Sequence, residues 1–144
     1  MKNEQLTMKN EKRKDDLEER LLDFAVRIIK LAKALPNTSI GKHIGGQLIR
    51  AGTSAGSNYE EACGAESRAD FIHKLGIVLK ELKESRFWLR LIQRTELISI
   101  HRVELLIKES EELCAIIAKS IITAKGRKKI RSINNVKCKI SNEK

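Results

Sequence analysis

Proline occurs once in this chain and aromatic residues make up only 3% of its 144 positions. Joined to plentiful Leu, Ile, Glu and Lys, these shortages argue against a strand-rich fold and point to all-helical structure. Cysteine is nearly as sparse. Cys63, Cys114 and Cys138 form no C-x-x-C pair, and an odd count argues against a disulfide framework, so free thiols in a reducing cytoplasm are expected. No apolar run approaches the ~20 residues that span a bilayer, and the polar N-terminus lacks the apolar centre of a secretory signal. A soluble, cytoplasmic protein is expected, with no membrane partner. Also missing is any serine or cysteine with His and an acid in recognisable motif spacing, so no enzyme activity, small-molecule substrate or cofactor is expected.

What the chain has in excess is positive charge, +10 in total. Residues 126–144 carry seven Lys or Arg against one Glu, residues 16–125 carry seventeen against fifteen, and the leader 1–15 adds the rest. Such a tail attracts phosphate polymers and acidic surfaces through long-range steering. With 41% apolar residues the remainder suffices for one core.

Hydrophobic spacing divides that remainder into four helices. Residues 1–15 read as a flexible polar leader. From Asp16, the residues Leu21, Phe24, Ala25, Ile28, Leu31, Ala32 and Leu35 recur at three- and four-residue steps up to Pro36, which ends the helix. Leu22, Val26 and Ile29 lie beside that stripe and exceed what one bundle seam needs, which points to a second subunit. A second helix from about Ile40 to Cys63 is expected despite six glycines in 41–64, because Gly41/Gly45 and Gly52/Gly56 lie four apart and let two helix backbones approach closely. Ser67, with Asp70 three residues on, caps a third helix running to about Glu96. A fourth follows a turn at 99–102 and ends near Gly126, with a disordered basic tail beyond it. Short connections imply an antiparallel up-down-up-down bundle over 16–125.

The segments DLEERLLDFAVRIIKLAKALP, GKHIGGQLIRAGTSAGSNYEEA, GAESRADFIHKLGIVLKELKESRFWLRLI and ELCAIIAKSI resemble the bacterial four-helix-bundle proteins encoded within 23S ribosomal RNA intervening sequences. The likeness covers roughly residues 16–125 and rests most on G-T-S-x-G-x-N-Y-E-E-A and R-F-W-L-R. It implies a small antiparallel bundle assembling as a ring-shaped homopentamer without established enzymatic activity. R-F-W-L-R is also similar to the accessory protein of diversity-generating retroelements, a pentameric bundle implicated in binding nucleic acid and a reverse transcriptase. The leader and tail inherit nothing from either likeness.

Four features carry possible chemistry. Gly41-x-x-x-x-Gly46 has the glycine spacing of a phosphate-binding loop, but Gln47 and Leu48 stand where Lys and Ser or Thr are needed, so close helix packing explains it better. Asp70-x-x-His73, with Glu60 or Glu61, offers a metal-binding bundle as a remote alternative; the pair occurs once where di-metal bundles need two, and capping or surface hydrogen bonding is preferred. At 100° per residue, Lys83, Arg86, Arg90 and Arg94 fall within roughly 80° of arc with Phe87 beside them. That patch suits a nucleic-acid backbone with a stacked base, a subunit interface in which Phe87 is buried against a neighbour, or a solvated face. In the tail, Arg127, Lys128, Lys129, Arg131, Lys137 and Lys139 can displace counterions from phosphates, solubility being the plainer role.

Tyr59 and Trp88 are candidate bundle or interface anchors, alongside Leu22, Val26 and Ile29. Asn58, Glu61 and Glu66 are candidates for tying the corner between the second and third helices. The function expected is therefore a non-catalytic homo-oligomeric bundle binding nucleic acid, RNA favoured, with a protein-interaction scaffold as the alternative.

Overall fold

The computed structural model describes the backbone of residues 2–142 and, within it, the side chains of residues 2–5, 8 and 16–126. Helices α1 (Lys2–Ala34), α2 (Ser39–Cys63), α3 (Arg68–Thr95) and α4 (Ile100–Asn142) account for nearly all of it, and no strand occurs among the described residues. Helix α1 starts at Lys2, inside the stretch expected to be a flexible leader. Its sequence explains the difference, since no glycine or proline interrupts residues 1–35. Among described side chains, however, burial begins only at Leu17.

Side-chain oxygens set two of the starts. The Thr38 hydroxyl accepts from the Gly41 amide at 3.1 Å and caps α2, while the Ser67 hydroxyl accepts from the Asp70 amide at 3.1 Å and caps α3, as its spacing predicts. Helix α3 ends on Glu96 in the left-handed region at φ 53°, an uncommon conformation for a residue with a Cβ. Gly126 at φ 63° and ψ −175° breaks α4 into two helical segments where a stop was expected. The basic tail expected over 126–144 begins at this break, and its side chains lie outside the described residues.

The helices form a bundle in which α2 packs on α1 and α3, and α4 on α3 and α1. Phe24 and Ile28 of α1, Leu48 of α2, Leu75, Leu82 and Leu89 of α3, and Leu113 and Ile117 of α4 are fully enclosed. Each contributes about 1.5–3 kcal/mol relative to exposure. The stripe read from the sequence of α1 lies in this core, although Ala25 and Ala32 are only partly covered. Two serines are also enclosed. Ser85 and Ser110 satisfy their hydroxyls by donating to the carbonyls of Glu81 and Ile107 at 2.8 and 2.6 Å.

Glycines make the α1–α2 contact possible. A methyl built on Gly52 would stand 3.0 Å from the Ile28 side chain, one on Gly45 3.4 Å from Leu35, and one on Gly56 3.6 Å from Leu21. Close packing is thus what this glycine run is for, as its four-residue spacing indicates. Gly41 and Gly46 lie within helix α2, so they form no phosphate-binding loop.

Candidate nucleic-acid interface

Helix α3 presents three flanks, and each follows from its sequence period. The inner one holds the buried leucines and valine. The flank toward α2 is occupied by ion pairs. Arg50 of α2 reaches Glu81 at 3.3 Å and hydrogen-bonds Glu84, and Lys74 pairs with Glu61 of α2 at 2.9 Å. The Arg50 guanidinium holds the Glu84 carboxyl below its usual range, with the Trp88 N–H adding to the effect. Trp88 Nε1 donates to Glu84 Oε1 at 3.5 Å.

The remaining flank turns toward α4 and carries the basic stripe. Burial pushes the thiol of Cys114, on α4, up, while the positive charges of Arg86 and Lys83 oppose the shift. Glu111 acts on the same thiol in the opposite direction. Lys83, Arg90 and Arg94 are exposed and Arg86 is half-buried. None of the four joins an ion pair among the described residues. The eleven residue steps from Lys83 to Arg94 extend about 16 Å along the helix axis.

Phe87 sits between these two flanks with 58% of its surface exposed. Its ring meets Trp88 edge-on, with centroids 5.1 Å apart and planes at 74°. Trp88 meets His43 of α2 in the same manner at 6.0 Å. An exposed ring is therefore backed by a half-buried one that packs against the core. Sequence reasoning found the stripe and Phe87 but not the Arg50–Glu84–Trp88 chain behind them. The four-residue step from Glu84 to Trp88 was a visible sign; the contribution of Arg50 was not.

Other candidates are placed apart. A methyl on Gly126 would come 3.3 Å from the Arg68 guanidinium, so the tail departs beside the start of α3, fifteen residues or about 22 Å of helix from Lys83. Arg127, Lys128, Lys129, Arg131, Lys137 and Lys139 themselves lie outside the described side chains. At that end an open cleft of about 450 Å³ is lined by Cys63, Glu66, Arg68, Phe71 and Thr123, among others. Of the expected corner ties, Glu61 joins α2 to α3 through Lys74, but Asn58 donates to Ser54 of its own helix at 2.8 Å, and Glu66 is exposed. Asp70 and His73 are both exposed, and no group of three metal-binding side chains gathers among the described residues.

Of the two roles open to Tyr59, bundle anchor or interface anchor, its burial within the chain fits the first. It is 7% exposed and belongs to the core, because the helical period puts it on the inward side of α2. Burial raises its phenol well above the ordinary value, and a hydrogen bond with Cys63 adds to the rise. Leu22, Val26 and Ile29 do stand outward, Leu22 with 56% of its surface exposed, and Ile49 of α2 is also open.

A family model described as 23S rRNA-intervening sequence protein matches residues 14–119. The chain belongs to that family. The matched span of this 23S rRNA-intervening sequence family member contains all of α2 and α3, hence Lys83, Arg86, Phe87, Arg90 and Arg94, and excludes the basic tail. The family member is also similar to a protein of unknown function from the S23 ribosomal protein family of Bacteroides thetaiotaomicron VPI-5482, known from a crystal structure. The two are 42% identical with a TM-score of 0.69, over 73% of this chain and 97% of that one. No curated protein matches. Among the described residues no helix is long and apolar enough to cross a membrane.

Proposed function

We propose that this protein is a non-catalytic, cytoplasmic four-helix bundle with antiparallel up-down-up-down topology that assembles as a ring-shaped homopentamer and binds nucleic acid, RNA favoured, through basic residues. The carrying observation is the stripe of Lys83, Arg86, Arg90 and Arg94, four cations on one face without an acid partner among the described residues, beside an exposed Phe87. Cations so placed neutralise backbone phosphates and release their counterions. RNA is favoured over DNA by the family's link to ribosomal RNA.

The antiparallel topology draws support from pairs whose numbers run in opposite directions: Gly45 with Leu35, Gly52 with Ile28 and Gly56 with Leu21. Self-assembly draws support from Leu22, Val26, Ile29 and Ile49, which form an outward apolar surface that a neighbouring subunit would cover. The same surface favours a second reading, a protein-interaction scaffold without nucleic-acid binding.

Titrating the full chain with structured RNA and with duplex DNA over a range of salt tests the main reading. Binding that weakens steeply as salt rises is expected; no binding at low salt, or binding indifferent to salt, refutes the mechanism. Replacing Arg90 and Arg94 together with glutamine separates the two readings, because a scaffold keeps its assembly and its partner whereas a nucleic-acid binder loses much of its affinity. Mass measurement in solution decides the assembly, and a monomer at micromolar concentration refutes it.

A further inference from the structure

We infer that the outer face of α3 is a reader of single-stranded nucleic acid, in which one strand lies along the helix with successive phosphates on Arg86, Arg90 and Arg94 and an unpaired base stacked on Phe87. This rests on the nucleic-acid reading above and narrows it to a substrate class. Three observations lead there.

The first is spacing. Arg86, Arg90 and Arg94 are four residues apart, so their stems rise in steps of about 6 Å, and a sugar–phosphate backbone running along α3 can give one phosphate to each. Lys83 extends the track by one further contact. Guanidinium groups suit the task because their fork of donors matches phosphate oxygens.

The second is the state of the Phe87 ring. An exposed phenylalanine on a helix surface ordinarily swings between rotamers, but this one is braced edge-on by Trp88, which is held by Glu84, which is held in turn by Arg50 of α2. The brace leaves 58% of Phe87 uncovered while restraining its ring. A restrained open ring loses little freedom when a base stacks on it. Only an unpaired base has a free face to offer, because in a duplex both faces are already stacked on neighbours.

The third is what borders the track. Glu111 is exposed on α4, the helix packed against α3, and gives that neighbouring helix an acidic bank. Glu104 lies two turns earlier on that helix and is also exposed. A single strand held against α3 avoids that bank. A duplex, broader and charged on both strands, would bring its second backbone toward it and meet repulsion.

The experiment uses the full-length protein, a fluorescein-labelled oligouridylate, and an RNA duplex of equal length, compared by anisotropy at one salt concentration. Emission of Trp88, the sole tryptophan, supplies a second signal from the brace itself. Tighter binding of the single strand is expected, accompanied by a change in Trp88 emission. Phe87→Ala should weaken the single strand by about five-fold or more and abolish the emission change, and be rescued by Phe87→Trp for affinity. Arg90→Gln should weaken binding and reduce its dependence on salt by about one phosphate contact.

Equal or preferred binding of the duplex, or a Phe87→Ala protein that binds the single strand like the parent, overturns the single-strand proposal while leaving nucleic-acid binding intact. Absence of binding to either RNA at low salt overturns the parent reading with it. An Arg90→Gln protein with unchanged affinity and salt dependence removes the phosphate track from α3.

Discussion

Replacing the glycines of α2 with alanine, one at a time, should give opposite results at positions with the same residue and the same helix. At Gly46 an added methyl has nothing within 4 Å, so the change gains the propensity difference between the two residues, about 1 kcal/mol. That corresponds to a rise of roughly 4 °C in Tm for a chain of this size. At Gly52 the same gain is opposed by overpacking, since the methyl would stand 3.0 Å from both γ carbons of Ile28, a branched, fully enclosed side chain with no room to turn away. Overpacking costs about 1–3 kcal/mol, so the net change lies between neutrality and a loss of about 2 kcal/mol. Gly41 is the extreme case. Its methyl would fall 2.0 Å from the Pro36 carbonyl oxygen, a backbone atom, and relief requires displacing the turn that carries the Thr38 cap. The loss should exceed that at Gly52. Thermal unfolding followed by circular dichroism, at equal protein concentrations, reads all three variants against the parent. A Gly46→Ala protein less stable than the parent, or a Gly41→Ala protein as stable as it, would refute the packing argument.

Three other perturbations follow from local features. Glu96→Gly should raise stability by about 0.5–1 kcal/mol, because glycine occupies the left-handed region at φ 53° without the Cβ penalty; an unchanged or lower Tm counts against it. Tyr59, the sole tyrosine, should ionise well above its ordinary value of 10.0 in an absorbance titration, and since its folded pKa is raised, stability should be full below that value and decline as pH rises past it, a dependence that Tyr59→Phe removes. Glu84 has a folded pKa below its ordinary 4.5, so its contribution is present above that value and lost as pH falls through the lowered one; Trp88 emission should change over the same acid range in the parent and stay flat in Glu84→Gln.

Much of the fold and part of the site were legible in order of residues alone. Periodic leucines and isoleucines need only a helix to share one face, so Leu21, Phe24, Ile28 and Leu31 declared themselves before any partner was known. Caps are local too, and Ser67 with Asp70 three residues on was sufficient to start α3. The arc holding Lys83, Arg86, Arg90 and Arg94 is likewise a property of one helix.

Contacts between helices were a different matter, because side-chain neighbours across an interface are set by rotation and height, which a period does not specify. Gly46 and Gly52 look alike in sequence, yet only the second faces Ile28. Tyr59 could anchor either the bundle or an interface by sequence, and the packing of α2 encloses it in the core. Tertiary structure alone brought Arg50 from another helix to Glu84, and so placed a braced aromatic ring beside the basic stripe. The sequence determined that a positively charged helix face exists; the packing of α2 against α3 decided that Phe87 stands restrained and open at its edge, because that restraint depends on atoms contributed by two helices.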